Sequence, residues 1–183
     1  MRIYLIGPTG VGKSYILNEL KKQGIKTFED PIINNDLLKT GSPYEIQVSI
    51  ACSFLLRDIA NKDGVFDTSI ETTKIFSQLQ FLNNDINMND FFKIRDLEFS
   101  ISSLLENSRN HFIFIKRSEE EIKEQIIKRG REYELNNPFY EEINKELIKR
   151  FDKPNPNLDI IELKGTDISP VIDRVKELLK WKY

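Results

Sequence analysis

Residues Gly7-Pro8-Thr9-Gly10-Val11-Gly12-Lys13-Ser14 fit the pattern G-x-x-x-x-G-K-[ST]. The motif constrains the fold because it functions only as the turn between a buried strand and a helix. Its glycines let successive backbone N–H groups converge on an anion, and the helix that follows adds the positive end of its dipole. Lys13 then reaches the β- and γ-phosphates, and the Ser14 hydroxyl can ligate Mg²⁺. Both flanks agree: Arg2–Ile6 is a short apolar run, and Lys13–Lys22 has helical spacing. The run predicts a nucleoside triphosphate site, with ATP or another triphosphate as ligand.

The same alternation continues along the chain. Lys26–Glu29, Gly64–Asp67, His111–Lys116 and Leu158–Leu163 are short apolar runs without helical period, as buried parallel strands are. Between them Pro43–Ala60, Ile70–Gln78 and Asn89–Asn107 have helical patterns. Ser118 with Glu121 makes a capping box for Glu119–Lys128, and Ser169-Pro170 opens a last helix to about Lys180. Asn-, Asp- and Pro-rich stretches at Ile33–Asp36, Leu82–Asp90, Asn136–Pro138 and Lys153–Asn157 read as turns. The expected fold is α/β: a P-loop NTPase with a five-stranded parallel sheet, helices on both faces, and residues 1–183 as one domain.

Composition narrows the chemistry. The 183 residues hold one cysteine, Cys52, and one histidine, His111, which excludes an intrachain disulfide and a Cys/His zinc site. Twenty-seven Lys and Arg against 29 Asp and Glu give a net charge of −2, so no global field favours nucleic acid or an anionic membrane. Ile3–Ile6 is too short for a signal-peptide core, and no apolar run reaches the roughly 18 residues of a membrane span. The expectation is a cytoplasmic protein with Cys52 reduced. Carboxylates, Lys, Arg, hydroxyls and backbone must do the work.

Asn61-Lys62-Asp63-Gly64 imitates the guanine-reading N-K-x-D, but Gly64 stands where its carboxylate belongs and no D-x-x-G follows the third strand, which argues against a GTPase. Asp67 ends the third strand, where open α/β sheets gather ligands; it could serve a metal or cap the following helix, a task open equally to Ser69. Asp30 follows the second strand beside Glu29 and before Pro31, as either a proton acceptor or part of a plain turn. Lys128-Arg129-Gly130-Arg131 closes a helix, either as a solvated cap with Gly130 left-handed or as a cationic lid over phosphates.

Together these residues resemble the deoxynucleoside kinase family, whose P-loop is followed by a Glu-Pro, a substrate-helix Gln, an acidic-Arg-Ser motif and an R-x-R lid. Here they stand as Asp30-Pro31, Gln47, Asp67-Thr68-Ser69 and Arg129-Gly130-Arg131. The resemblance implies Mg²⁺-dependent transfer of the ATP γ-phosphate to a deoxynucleoside 5′-hydroxyl, with Asp30 as general base and Lys13, Arg129 and Arg131 on the phosphates. Gln47 would grip the base, Asp67 with Ser14 would serve Mg²⁺, and Glu134 would meet the 3′-hydroxyl. Tyr44 and Phe54 would wall the base or belong to the core. The lid spans about 129–138, and pairing of long helices, with Asn89–Asn107 as candidate, implies a homodimer. The chain departs from the pattern at Thr68, where the Arg is replaced, at Asp30 in place of Glu, and at Gln125 in place of an Arg before the lid. Alternatives are a nucleoside monophosphate kinase and a catalytically weak nucleotide-binding or regulatory subunit.

Overall fold

A computed structural model describes residues 1–34, 40–105, 110–130, 138–153 and 155–180 of the chain. Strands β1 (Arg2–Ile6), β2 (Thr27–Phe28), β3 (Gly64–Asp67), β4 (Asn110–Lys116) and β5 (Leu158–Glu162) form one sheet in the order β2-β3-β1-β4-β5. Every pairing is parallel. The expected five-stranded parallel sheet is therefore present, with the second strand shorter than its apolar run. Helices α1 (Lys13–Lys22), α2 (Pro43–Ala60), α3 (Ile70–Leu82), α4 (Met88–Leu105), α5 (Glu119–Lys128), α6 (Pro138–Phe151) and α7 (Ser169–Lys180) alternate with the strands, and a 3-10 turn covers Pro31–Asn34.

The chain comprises two compact units. The first holds Met1–Glu29, Asp63–Thr68 and Arg109–Tyr183, and with them the whole sheet. Strand period decides its packing. Ile3 and Leu5 on β1, with Ile113 and Ile115 on β4, join Ile16 and Leu20 of α1 and Val171 and Val175 of α7 in one apolar cluster. The alternate positions turn the other way: Tyr4 stacks with Phe112, and Phe112 and Phe114 meet Phe151 of α6 at ring distances of 6.2 and 5.7 Å. Each fully buried side chain of this kind contributes roughly 1.5–3 kcal/mol by leaving water.

Helix α6 is absent from the sequence expectation, which placed a turn at Asn136–Pro138 and no element between it and the turn at Lys153–Asn157. Its buried apolar positions are Ile143, Leu147 and Phe151, spaced by four in a largely charged stretch. Residue 138 opens the helix, where a proline's missing N–H costs nothing.

The second unit holds Asp30–Lys62 and Ser69–Ser108. Helices α2, α3 and α4 pack on a cluster of Ile50, Ala51, Phe54, Ile70, Ile101 and Leu105. Helix α2 starts on the capping box of Ser42 and Glu45, with Pro43 in its first turn. Ser69 caps α3 by accepting from the Glu71 N–H, so the N-cap residue of this helix is Ser69.

Candidate active site

In the sheet-bearing unit the phosphate loop leaves the carboxyl end of β1, the central strand, and closes on α1. Gly7 passes directly over β4: a Cβ there would lie 2.6 Å from the Ile115 carbonyl oxygen, so only glycine seats the loop this close. Pro8 accepts from the Val11 N–H at 3.3 Å, which turns the loop through Thr9 and Gly10. Gly12 caps α1 at φ 105°, left-handed backbone that a side chain rarely adopts. Lys13 folds back over the loop, its ammonium donating to the carbonyls of Gly7 at 2.8 Å and Pro8 at 3.2 Å. Ser14, exposed, stands in the first turn of α1. The eight loop residues named from sequence thus form one strand-to-helix turn with its N–H groups at a helix start, a ready anion site.

Around the loop stand residues from neighbouring strand ends. Asp67 ends β3, opposite Leu5 of β1 in register, and is 6% exposed. Its carboxylate and the Ser14 hydroxyl are oxygen donors that could hold Mg²⁺, which prefers such ligands when substrate phosphates complete its shell. Among the described residues no group of three or more His, Cys, Asp and Glu side chains could hold a metal unaided. Thr68 adopts φ 56°, an outlier for a β-branched residue, while its N–H donates to the Leu5 carbonyl. Arg129 caps α5 in an exposed position and Gly130 follows at φ 65°, as the helix-cap alternative expects. Arg131, Glu134 and most of the expected 129–138 lid lie outside the described residues.

Arg117 has no part in the sequence expectation. It is the first residue past β4, and its Nε donates to the Val11 carbonyl at 3.0 Å while Nη1 donates to the Gly165 carbonyl beyond β5. Glu121 pairs with the same guanidinium at 3.8 Å and accepts from the Gly165 N–H. That N–H holds the Glu121 carboxyl below the usual carboxylate range, against the opposing effect of burial, with help from Ser118 and Arg117. The available signal was position: an arginine one residue past a strand, at the sheet end where ligands gather.

The helical unit holds the other named residues. The Asp30 carboxylate accepts from the Ile32 N–H at 3.0 Å, forming a tight turn at the start of this unit. Tyr44 is half-buried in the first turn of α2, with the Lys93 ammonium 5.6 Å over its ring. Gln47 lies on the same α2 face as Ile50, Ala51 and Phe54, 2% exposed, and its Oε1 has no hydrogen-bond partner among the described residues. Phe54 packs inside the helical cluster, with the Arg57 guanidinium 4.8 Å over its ring. Arg57 pairs with buried Asp58 at 2.7 Å and Lys74 with Glu71 at 2.6 Å.

A phosphate loop after the central strand of a 2-3-1-4-5 parallel sheet defines a P-loop nucleotide-binding protein. Comparison narrows the class. Residues 3–173 match the deoxynucleoside kinase family. The provisionally named kinase protein 143R of Invertebrate iridescent virus 6 is 30% identical over 148 residues, 75% of this chain and 74% of the viral protein. The fold is similar to deoxyadenosine kinase from M. mycoides with bound dCTP, at a TM-score of 0.76 and 19% identity over 98% of this chain and 99% of that one. The same enzyme with the products dCMP and dCDP gives 0.74 and 20% over the full length of both chains. The chain belongs to the deoxynucleoside kinase family.

Proposed function

We propose that the protein, acting as one kinase domain over residues 1–183, uses ATP and Mg²⁺ to phosphorylate the 5′-hydroxyl of a deoxynucleoside. The observation that carries the acceptor reading is Gln47, whose buried amide oxygen has no partner among the described residues: such an oxygen costs about 1–3 kcal/mol, a cost that a hydrogen bond from a nucleobase would remove. An amide also donates as it accepts, which suits a base edge. Tyr44 would lie against the base, with Phe54 supporting the same helix face. Asp30 would accept the hydroxyl proton, and Glu134 would bind the 3′-hydroxyl. On the donor side the loop N–H groups and Lys13 bind the phosphates, joined by Arg129 and Arg131, so that positioning and charge stabilisation lower the barrier. Ser14 and Asp67 would hold Mg²⁺, which when bound offsets phosphate charge.

A cytoplasmic location would supply the ATP donor, and among the described residues no helix is long and apolar enough to cross a membrane. Exposed Phe92 and Phe99 on α4 support a homodimer through that helix.

The test supplies labelled ATP and Mg²⁺ to a panel of nucleosides and their monophosphates side by side. Transfer to at least one deoxynucleoside is expected, with Lys13→Ala lowering it by about 100-fold or more. Transfer to monophosphates alone would make the protein a monophosphate kinase. ATP binding without any transfer would make it a regulatory subunit.

A further inference from the structure

A loop that turns its N–H groups toward an anion turns its carbonyls away, and those carbonyls need donors of their own. Two kinds of side chain supply them here. Lys13 bonds the carbonyls of Gly7 and Pro8, but the same ammonium is the group expected on the donor phosphates. Arg117 bonds the carbonyl of Val11, one residue before the helix cap Gly12. That guanidinium is not among the groups expected on the phosphates.

Arg117 is also tied down at its other end. Its Nη1 reaches the Gly165 carbonyl, Glu121 gathers both the guanidinium and the Gly165 N–H, and the side chain is 6% exposed. Its Nη2 is the atom nearest to where a Cβ at Gly12 would stand, at 4.0 Å. One planar fork therefore spans the phosphate loop, the turn after β5 and the first turn of α5. Lysine, with a single point of charge, cannot span all three.

We propose that Arg117 is a positioning residue for the nucleotide donor: by clamping the Val11 carbonyl to the Gly165 turn it holds the phosphate loop with its N–H groups set for the anion. The inference rests on the donor half of the function proposed above. It concerns a side chain whose bond to the loop is to a carbonyl rather than to the N–H groups set for the anion.

The experiment titrates ATP with Mg²⁺ calorimetrically into the full chain and into Arg117→Met, Arg117→Lys and Glu121→Gln, and records each melting temperature without ligand. Arg117→Met is expected to weaken ATP about tenfold, the loss of one hydrogen bond from a charged group, with Arg117→Lys and Glu121→Gln weakening it about threefold. In steady state the KM for ATP rises while the KM for whichever panel deoxynucleoside is accepted stays within about twofold, a split that general loss of structure does not produce. If Arg117→Met fails to fold, Arg117→Lys decides. ATP affinity equal to the parent's in a folded Arg117 variant overturns the proposal, as does an equal loss of both substrates. A parent chain that binds no ATP overturns the donor reading as well, whereas a parent that binds and transfers while the variants match it overturns the Arg117 assignment alone.

Discussion

Two buried polar side chains of the helical unit, Gln47 and Glu98, show how differently such groups are used. Glu98 is completely buried on α4, where Ser77 of α3 donates to its carboxylate at 2.9 Å and Arg95 lies 3.5 Å away. Burial pushes its pKa up to about 7, against the lowering effects of Ser77, Arg95 and Lys74; Glu71 adds to the rise. An acid shifted upward from its ordinary 4.5 holds its proton more tightly folded than unfolded. The stability tied to it is therefore complete below about pH 4.5 and is lost as pH rises through 7. Glu98→Gln, which keeps the neutral shape, should match the parent at pH 5 and exceed it at pH 8 by on the order of 1–3 kcal/mol, a melting shift of several degrees. Equal melting differences at both pH values would count against it. Gln47, whose buried oxygen has no described partner, is expected to behave in the opposite sense. Gln47→Met should leave the melting temperature equal or higher while weakening deoxynucleoside binding about tenfold or more, measured by calorimetry with the accepted substrate. A variant that binds the nucleoside like the parent would remove the amide from the base-reading role.

At the scale of elements, β4, β5 and α7 are joined at a polar node as well as by their apolar faces. Asp159 of β5 meets His111 of β4 at 2.7 Å and the Arg174 guanidinium of α7 at 2.7 and 3.3 Å. Partial burial alone would raise its pKa, yet the hydrogen bonds from Arg174 and His111 outweigh burial and hold it below the usual 3.8. That stabilisation is present above the ordinary carboxylate range and is lost as pH falls below it. Asp159→Asn should lower the melting temperature by a few degrees at pH 7, in keeping with about 1 kcal/mol for a solvent-screened pair, with the difference shrinking near pH 3. A constant difference between those pH values would contradict it. Elements differ in how far local sequence reveals them. β1, the phosphate loop and α1 are legible because the motif, its apolar strand and its helix are contiguous. Helix α6 is not, because three buried apolar positions in a largely charged stretch give a weak period and Pro138 invites a turn reading. Arg117 escapes for another reason: its partners Val11 and Gly165 lie 106 and 48 residues away, and only the closed sheet brings them to it.

For the molecule as a whole, the order of motifs along the chain was enough to place it in its family, because phosphoryl transfer asks for few groups, and the phosphate loop, Asp30 and Asp67 stand at or just past strand ends. The near-neutral net charge concealed this. Lys13 and Arg117 gather at the loop while Asp67 closes the neighbouring strand, a local arrangement that the total of −2 averages away. What the fold does not consume is also informative. Phe92 and Phe99 of α4 are 58% and 70% exposed, and with Met88 at 62% they recur at helical spacing on one side of the helix. A stripe of large apolar side chains left in water favours association, and a second copy of the same helix offers a self-complementary surface of this kind. Light scattering at tens of micromolar chain should give twice the chain mass. Phe92→Lys with Phe99→Lys should reduce it to the single-chain mass, because lysines on both copies would repel across the two-fold and lose the apolar contact. Since both positions are exposed in the single chain, ATP binding should persist within about threefold in the double variant. A parent already at single-chain mass would exclude the homodimer, and a variant that keeps the doubled mass would move the interface away from α4.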